Sequence, residues 1–322
     1  MGRQGAFKKA GNLLLWFLMA LPLEGLFAAE IRIAHHSTTL LSLPLFLAKE
    51  RGFIRDEGLQ SIIVQVQSNV AMMALINGNI DYTSSIATAI NAAAQGMPIK
   101  TIFANTRDMP HRLLAIPEIQ SIGNLRDKIV GVATLSGAEY YVTRAILSHY
   151  GLDPDRDVKI RMVGSTSLRL EAMKRGTIQA TVLSPPADFM AKKMGFQLLA
   201  TSVGIVEMPS NGVAATVKRI REHPEEVKRV LRASLRALRW LRERKEETIA
   251  FVREKFGLDS ETARASYEAM APIWSEHGRV SEQGVRFALQ LTRERGLIKQ
   301  EPQLSQILDL RPLEEVLKEE KR

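Results

Sequence analysis

The sequence contains no cysteine and few aromatic residues, which make up 6% of its 322 positions. Without cysteine the chain has no disulfide, no lipid attachment at a cysteine, no thiolate metal site and no cysteine nucleophile. It also lacks an apolar run of the about 20 residues that a membrane-spanning helix needs. Hydrophobic residues make up 45% and charged residues 25%, which is typical of a globular protein and excludes disorder and a multi-span membrane protein. The length predicts about two domains or lobes.

Residues 1–29 have the layout of a signal peptide, which predicts export to the periplasm. Three basic residues precede an apolar run of eleven at 13–23, which is too short to cross a bilayer. Cleavage after Ala28 or Ala29 would put a large side chain where a small one is preferred, so a retained membrane anchor is an alternative. Cleavage removes three bases and one acid, so the net charge falls from +9 to +7.

A dense group of positive charges lies between Lys218 and Lys245, where eleven Lys or Arg residues accompany four Glu residues. The motif HPEE predicts the start of a long helix. Helical spacing predicts a buried apolar stripe at Val227, Val230, Leu231, Leu235, Leu238 and Leu241. The other faces would carry solvated charges at Arg232, Arg236, Arg239 and Arg242. Nucleic-acid binding is not expected, because Trp240 is the only aromatic residue nearby for base stacking.

One short phrase occurs twice, 98 positions apart: Ala, three residues, Gly, one residue, Ile, two residues, Thr. Each copy predicts the last turn of a helix, a left-handed glycine at Gly78 or Gly176, and a strand beginning at Ile80 or Ile178. Both predicted strands end in hydroxyl side chains. Because open α/β sheets bind ligands at the carboxyl ends of their strands, both copies point to a binding edge.

The elements predicted around the two copies follow one order. Each half reads strand, small-residue loop, helix, strand, capped helix, strand, helix and strand. The strands are predicted at 31–35, 62–66, from 80 and 99–104, and again at 129–133, 158–163, from 178 and 197–201. Strands that alternate with helices predict parallel-type sheets, and the repeated order predicts two similar α/β lobes.

Two proline-containing connectors are expected to carry the chain between the lobes, at LLAIPEIQSIG (113–123) and IVEMPSNGV (205–213). After the second connector GVAATV is a strand candidate, and the helical remainder should return to the first lobe and cover it. Two crossings predict a hinge and a cleft between the lobes, into which the carboxyl ends of both sheets point.

Three segments carry a resemblance to a known family. LPLFLAKERGFIRDEGLQ looks like an apolar first helix followed by A-x-x-x-G-F-F-x-x-x-G-L, and ALINGNIDYTSS is similar to an L-x-x-G-x-x-D segment. LRDKIVGVATLSGAEYYVTRAILSHYGLDPDRDV is similar to the segment that opens the second lobe of the same proteins. They resemble the periplasmic solute-binding proteins of ABC importers, in the branch that takes nitrate, alkanesulfonates, taurine and thiamine-pyrimidine precursors. The resemblance runs from Ile31 to about Gly296.

The resemblance implies an α/β fold of the two-lobed periplasmic-binding-protein type (type II). Two mixed β-sheets flanked by helices would enclose a hinged cleft, with residues 30–114 and 212–322 in the first lobe, 115–211 in the second and a helical C-terminal region. The expected protein is a periplasmic monomer. It would capture a small organic solute, anionic solutes included, and deliver it to an ABC permease of the nitrate/sulfonate/taurine type with a cytoplasmic ATPase. No cofactor, metal or nucleic acid is expected.

Small polar residues that follow the predicted strands are the candidate ligand-binding residues. They are His36, Ser37, Thr38, Ser68, Asn69, Ser84, Ser85 and Thr88 in the first lobe, Ser136, Gly137, Ala138, Ser184 and Pro186 in the second, and Asn211 on the second crossing. A purely structural role stays open for the helix cap at Ser68 and Asn69.

The sequence predicts an orientation for the adjacent histidines and a type of ligand for Gly137. His35 and His36 are adjacent on an extended segment, so one should face the core and the other the cleft. Gly137 opens a helix whose free amides and dipole suit an anion, and it lets a ligand approach the backbone. Glu139 in the same turn would oppose a bound anion if it pointed inward.

The chemistry of the solute is predicted only broadly. Aromatic side chains expected to line an apolar part are Tyr82, Phe103, Tyr140 and Tyr141. No set of arginines forms an evident clamp, although Arg107 and Arg112 lie near the first connector and can swing in. An organic solute with a modest polar or anionic head fits these residues better than a bare inorganic ion.

An enzyme of the same fold, acting on a thiamine-pyrimidine-like or other small substrate, is the alternative function. Thiamine-pyrimidine synthases that resemble these binding proteins use a cysteine-rich iron motif, which a chain without cysteine cannot contain. No Ser/His/Asp pattern, HExxH, P-loop or GxGxxG motif occurs. A cleft with Ser and His leaves acid/base chemistry open, because catalytic partners need not be close in sequence.

Overall fold

Two five-stranded β-sheets form the centre of the computed structural model, which describes residues 29–135, 137–206 and 208–321. The strands are β1 (Ala29–His35), β2 (Leu59–Gln65), β3 (Tyr82–Thr83), β4 (Ile99–Ala104), β5 (Arg112–Ala115), β6 (Ile129–Val132), β7 (Lys159–Met162), β8 (Ala180–Leu183), β9 (Gln197–Thr201) and β10 (Gly212–Thr216). The predicted signal peptide lies outside the described residues except for Ala29, the first residue of β1.

The two sheets have the same topology. The first has the order β2-β1-β3-β10-β4 and the second β7-β6-β8-β5-β9. In the first sheet β1 is parallel to β2 and β3, while β10 is antiparallel to β3 and β4. In the second sheet β6 is parallel to β7 and β8, while β5 is antiparallel to β8 and β9. The prediction of two similar lobes with mixed sheets is confirmed, and each antiparallel strand follows a crossing between the sheets.

The repeated phrase occupies the same place in both lobes. Gly78 and Gly176 adopt the left-handed φ values of 73° and 68°. The strands β3 and β8 begin two residues later than predicted. The amides of Ile80 and Ile178 still bond to a carbonyl of the preceding helix, at 3.3 and 3.4 Å, and are therefore not available to a neighbouring strand.

The chain first crosses between the sheets at residues 105–111, before the predicted connector at 113–123. The first three residues of that connector, Leu113, Leu114 and Ala115, belong to β5. This strand pairs entirely within the second sheet, so the predicted lobe boundary at 114/115 falls inside it. The second crossing, at 202–211, contains most of the predicted connector. The crossings meet at Asn105 and Asn211, where Asn105 donates its backbone amide to the Asn211 carbonyl at 2.8 Å and its Nδ2 to the Asn211 Oδ1 at 2.9 Å.

Helices cover both sheets. They are α1 (Leu43–Glu50), α2 (Phe53–Asp56), α3 (Ser68–Ile76), α4 (Ile86–Ala94), α5 (Ala138–His149), α6 (Thr166–Lys174), α7 (Ala187–Lys193), α8 (Val217–Glu222), α9 (Pro224–Glu243), α10 (Lys245–Phe256), α11 (Ser260–Met270), α12 (Glu282–Glu294), α13 (Leu304–Ile307) and α14 (Arg311–Glu319), with 3-10 turns at Leu40–Ser42, Ile122–Leu125 and Ala271–Ile273. None of those in the described part of the chain is long and apolar enough to cross a membrane.

The basic helix α9 is a packed element of the first lobe. All six apolar residues of its predicted stripe are buried, in a core shared with β1, α1 and α14. Four of its arginines bond to acidic residues of other elements: Arg232 to Glu57 at 2.8 Å, Arg236 to Asp56 at 2.8 Å, Arg239 to Glu320 at 2.9 Å and Arg242 to Glu276 at 3.4 Å. The prediction of a buried stripe is confirmed, and these charges are paired within the protein.

The two lobes touch on both sides of the space between them. On one side Tyr141 of α5 lies 3.5 Å from the Thr292 hydroxyl of α12, which in turn donates to Asn91 of α4 at 2.6 Å. On the other side Lys193 of α7 lies 2.9 Å from Asp259, the residue before α11. The lobes are therefore closed on each other.

Candidate ligand-binding site

Two adjoining cavities lie between the lobes. The inner one has a volume of about 30 Å³ and the outer one about 270 Å³. The inner cavity is lined by His36, Leu41, Ser68, Ser85, Ala87, Thr88, His111, Ala133, Thr134, Gly137, Ala138, Glu139 and Ser210. These residues follow β1, β2, β3 and β6 or belong to the crossing segments, so the inner cavity lies at the carboxyl ends of strands from both sheets.

Seven predicted site residues line these cavities. The inner cavity contains His36, Ser68, Ser85, Thr88, Gly137 and Ala138, and Ser37 lines the outer cavity. Six others line neither cavity: Thr38, Asn69, Ser84, Ser184, Pro186 and Asn211. Thr38 and Asn69 are exposed, and the Thr38 hydroxyl donates to Gln65. Ser136 lies outside the described residues.

The adjacent histidines face opposite sides, as predicted. His35 is 5% exposed and packs its ring edge-on against Phe46, with ring centroids 5.1 Å apart. His36 lines both cavities, and its Nδ1 lies 3.4 Å from the Ser85 hydroxyl. The Ser68 hydroxyl donates to Ser85 at 3.3 Å. A chain of three polar groups therefore reaches from α3 to the end of β1.

The predicted cap of α3 is wrong. The helix begins at Ser68 itself, and Gln67 occupies the capping position without a side-chain hydrogen bond. Because Ser68 already has helical geometry, its hydroxyl is turned away from the helix amides and reaches Ser85. Ser68 also lines the inner cavity, and its contact with a ligand stays a prediction.

Gly137 leaves room for the Thr134 hydroxyl beside the inner cavity. Its φ of −92° is accessible to any residue, but an added Cβ would lie 2.8 Å from the Thr134 hydroxyl and 3.9 Å from the hydroxyl of Thr88 on the first lobe. A side chain at this position would crowd the Thr134 hydroxyl, whereas its distance to Thr88 is that of an ordinary contact.

Glu139 lines the cavity and is paired with a buried arginine. The Arg169 Nη2 lies 2.9 Å from the Glu139 Oε1, and the two side chains are 1% and 11% exposed. The second carboxylate oxygen accepts the Ala133 amide at 3.1 Å. Burial alone would raise the pKa of Glu139, but the charge of Arg169, assisted by His111 and His36, holds this pKa below its ordinary value. Glu139 therefore stays ionised at neutral pH.

Arg169 was missed at the sequence level. It lies four residues before Met173, and these two are the buried residues of α6. At the same positions of the repeat, 98 residues earlier, the first lobe has Ala71 and Leu75, which are also buried. Aligning the two copies of the repeat could have found Arg169. The alignment puts this arginine at a position where the first lobe has a buried alanine, Ala71.

The crossing segments contribute two further residues that sequence reasoning missed, His111 and Ser210. Both line the inner cavity, and they are 1% and 3% exposed. The His111 amide donates to the Ser202 hydroxyl at 3.0 Å, which fixes the two segments to each other. The His111 Nδ1 and the Ser210 Oγ have no hydrogen-bond partner among the described residues. Each crossing segment therefore contributes one residue that lines the cavity and has a buried polar atom without a partner among the described residues.

Burial also keeps the imidazoles of the cavity uncharged at neutral pH. It lowers the pKa of His36, and it lowers the pKa of His111 to about 4; Glu139 opposes both shifts.

The other predicted side chains lie away from the cavities. The aromatic residues Tyr82, Phe103, Tyr140 and Tyr141 are buried in the cores of the lobes. Arg107 donates to the Pro272 carbonyl at 2.6 Å. Arg112 bonds to Asp188 at 2.7 Å and lies over the Phe189 ring. Neither arginine supplies a clamp, because each is held by partners outside the cleft.

A family model described as NMT1/THI5 like matches residues 41–248. The riboflavin-binding protein RibY of Chloroflexus aurantiacus is 23% identical over 204 residues. The match covers 61% of this chain and 57% of RibY, so the chain spans little more than half the length of RibY. The alkanesulfonate-binding protein SsuA of Xanthomonas axonopodis pv. citri, solved with bound MOPS, is 17% identical with a TM-score of 0.72 over 88% of this chain and 97% of that one. The periplasmic nitrate-binding protein NrtA of Synechocystis PCC 6803 is 13% identical with a TM-score of 0.76, over 91% of this chain and 89% of NrtA.

Proposed function

The chain belongs to the NMT1/THI5-like family, and from this premise we propose that it is an extracytoplasmic solute-binding protein that captures a small organic solute between its lobes. The observation that carries the proposal is the inner cavity, which both lobes and both crossings line with hydroxyl and imidazole groups. A concave site with a few convergent polar groups at a lobe interface is typical of small-molecule binding.

We infer that the captured solute is delivered to an ABC permease of the nitrate/sulfonate/taurine type, with its cytoplasmic ATPase, and that the protein acts as a monomer. The likeness to SsuA, NrtA and RibY supports this role, since each is described as a binding protein for a small molecule. Closure of one lobe on the other would give the permease a surface that differs between the empty and the loaded protein.

The residues proposed to contact the solute are those that line the cavities. From the sequence prediction these are His36, Ser37, Ser68, Ser85, Thr88, Gly137 and Ala138, and the structure adds Thr134, His111 and Ser210.

A purely binding role is supported by how the polar groups are held. A Ser/His pair acts as a nucleophile and base when a third group orients the imidazole. The acid nearest this role, Glu139, has both oxygens engaged by Arg169 and Ala133. The carboxylate is thereby committed to the protein, and we propose no catalysis.

Export is proposed from residues 1–29, which would act as a cleaved signal peptide. Expression of the full chain in a Gram-negative host, followed by fractionation and intact-mass measurement, tests this. A periplasmic product that begins at Ala29 or Glu30 is expected. A membrane-bound product of full mass would show a retained anchor instead.

The binding function is tested by thermal unfolding of the purified chain against sulfonates, nitrate, aromatic carboxylates, pyrimidines and riboflavin. At 100 times its dissociation constant a ligand adds about 2.7 kcal/mol to the free energy of unfolding. A saturable shift with one solute class, and recovery of the solute unchanged, is expected. Recovery of a transformed compound would instead establish an enzyme.

A further inference from the structure

The charges of the cleft are balanced before any solute binds. Among the described residues that line the two cavities, Glu139 is the only acid and Arg169 the only arginine or lysine. They form one ion pair at 2.9 Å. The two histidines that line the cavities, His36 and His111, are uncharged at neutral pH, because burial lowers their pKa values. An anionic solute would therefore meet no uncompensated positive charge.

Arg169 also has no free hydrogen-bond donor for a solute. Its guanidinium bonds to Gly164 O at 3.2 Å, Thr181 Oγ1 at 3.1 Å, Val182 O at 2.7 Å, Glu139 Oε1 at 2.9 Å and Thr166 Oγ1 at 3.3 Å. A guanidinium has five N–H donors, and five acceptors surround this one. An arginine that clamps a carboxylate or sulfonate presents two parallel donors to it, which Arg169 cannot do without losing contacts inside its own lobe.

The N-terminus of α5 would by itself favour an anion, but the protein already places a carboxylate of its own there. Glu139 lies in the first turn of this helix, and its carboxylate accepts the Ala133 amide at 3.1 Å beside the cavity. A negative side chain at this position offsets the helix dipole. A second negative charge in the inner cavity would be repelled by the first at close range.

What the cavity does offer is a pair of unpartnered neutral groups. His111 and Ser210 line it from the two crossing segments, and the His111 Nδ1 and Ser210 Oγ are buried without a partner among the described residues. An unsatisfied buried polar atom is unfavourable, and a solute group that bonds to it would remove that cost.

We propose that the cleft takes an uncharged organic solute and that His111 and Ser210, one from each crossing segment, hydrogen-bond its polar edge. This inference rests on the proposed function and names the class of solute for the same site. Both residues belong to the segments that cross between the lobes. The binding of a solute that bonds to them therefore depends on the closed arrangement of the lobes.

Solute pairs that share a ring and differ in charge test the proposal. The purified full-length chain is titrated calorimetrically at pH 7.5 with nicotinamide and nicotinate, uracil and orotate, riboflavin and riboflavin 5′-phosphate, and with nitrate and methanesulfonate. We expect the uncharged member of a binding pair to bind at least about tenfold more tightly. Equal or tighter binding of the anionic member, or binding of nitrate or methanesulfonate alone, would overturn the inference and leave the proposed function standing. Binding of none of them would count against the proposed function, and with it the inference.

Two variants test the charge argument and the contact argument separately. Glu139→Gln leaves the Arg169 charge unbalanced, so affinity for the anionic member should rise by about tenfold; an unchanged preference would overturn the charge argument. Ser210→Ala should weaken binding of the uncharged member by about tenfold, and His111→Gln should do likewise.

The matched controls are Ser121→Ala and His149→Gln on the surface of the second lobe, which should bind as the unaltered protein does. Unfolding scans without solute establish that each variant is folded. A Ser210→Ala variant that is folded and binds with unchanged affinity would remove Ser210 from the site.

Discussion

Arg169 and Glu139 form an ion pair at 2.9 Å beside the interlobe cavity, with side-chain exposures of 1% and 11%. Taking two charges out of water is costly, and attraction offsets that cost only if the remaining donors and acceptors are also satisfied. Here five acceptors surround Arg169, and an amide occupies the second Glu139 oxygen. The pair therefore joins α5, α6 and β8 into one unit that shapes the second-lobe wall of the cavity.

Removing only one charge of this pair should be strongly destabilising. We expect Arg169→Met to lower the free energy of unfolding by about 3–5 kcal/mol, because it leaves the Glu139 carboxylate buried without its partner. Urea denaturation followed by circular dichroism measures the change. Arg175→Met is the matched control: Arg175 pairs with Glu171 on the protein surface, so its loss should cost less than about 1 kcal/mol.

The double variant Arg169→Met/Glu139→Gln should recover at least half of that loss, because no unpaired charge remains. A double variant as unstable as Arg169→Met alone would show that lost packing, and not the unpaired carboxylate, causes the effect.

The stability of the protein should fall in mild acid because of His111. Burial lowers the pKa of this imidazole to about 4 from an ordinary value of 6.5. Between these pH values the unfolded chain binds the proton more readily, so this contribution to stability is complete above pH 6.5 and is lost as the pH falls toward 4. The loss from His111 between pH 7.5 and 5.0 amounts to about 2 kcal/mol.

Urea titrations of the unaltered protein and of His111→Gln at both pH values measure this contribution. The variant should lose about 2 kcal/mol less than the unaltered protein, whereas His149→Gln, on the exposed end of α5, should match the unaltered protein. Equal losses in the His111 variant and the unaltered protein would contradict a buried neutral imidazole.

The repeated halves could be predicted from the sequence because their signals are local. A glycine after a helix favours the left-handed conformation whatever surrounds it, and Gly78 and Gly176 adopt it. The buried stripe of α9 follows from helical spacing alone. The late starts of β3 and β8 needed the structure, because they depend on amides that turn back to the helix at Ile80 and Ile178.

The cavity could be predicted only in part. Ser85 and Gly137 follow strands at the expected edge, so topology placed them. His111 and Ser210 lie far apart in the sequence and line the same cavity only because the two crossings run side by side. The first crossing was placed too late, which hid His111. Arg169 was hidden because an arginine on a helix is usually exposed, and its burial depends on acceptors supplied by β8 and α5.

A side chain at Gly137 should weaken solute binding more than it weakens the fold. In Gly137→Ala the new Cβ would lie 2.8 Å from the Thr134 hydroxyl, so Thr134 or the loop that carries residue 137 must shift at the inner cavity. Overpacking costs about 1–3 kcal/mol, and we expect it to appear as a loss of affinity of about tenfold, measured by calorimetry. Gly123→Ala is the control, because its Cβ would meet only Ser121 at an ordinary 3.8 Å. Unaltered affinity in Gly137→Ala would show that the loop moves aside freely.

An ion-pair contact at the rim should make solute affinity depend on salt. Lys193 on the second lobe lies 2.9 Å from Asp259 and 3.5 Å from Glu261 on the first, and none of these three residues lines either cavity. Exposed pairs contribute about 0.2–1 kcal/mol. Lys193→Glu replaces this attraction with repulsion and should lower the affinity for the solute roughly fivefold at low ionic strength. The effect should be smaller in 0.5 M salt, because the screening length there is only about 3–10 Å and exposed charges are shielded.

Calorimetric titration at the two salt concentrations measures the effect of Lys193→Glu. Lys192→Glu is the control for net charge, because Lys192 is also exposed and lies one residue earlier on the same helix. If closure brings the lobes together as the structure has them, only the Lys193 variant should lose affinity, because only its charge faces Asp259 and Glu261. An equal loss in both variants would mean that the total charge of the second lobe, and not this contact, sets the salt dependence. A loss that persists unchanged in high salt would mean that the substitution acts through packing of α7 against α11.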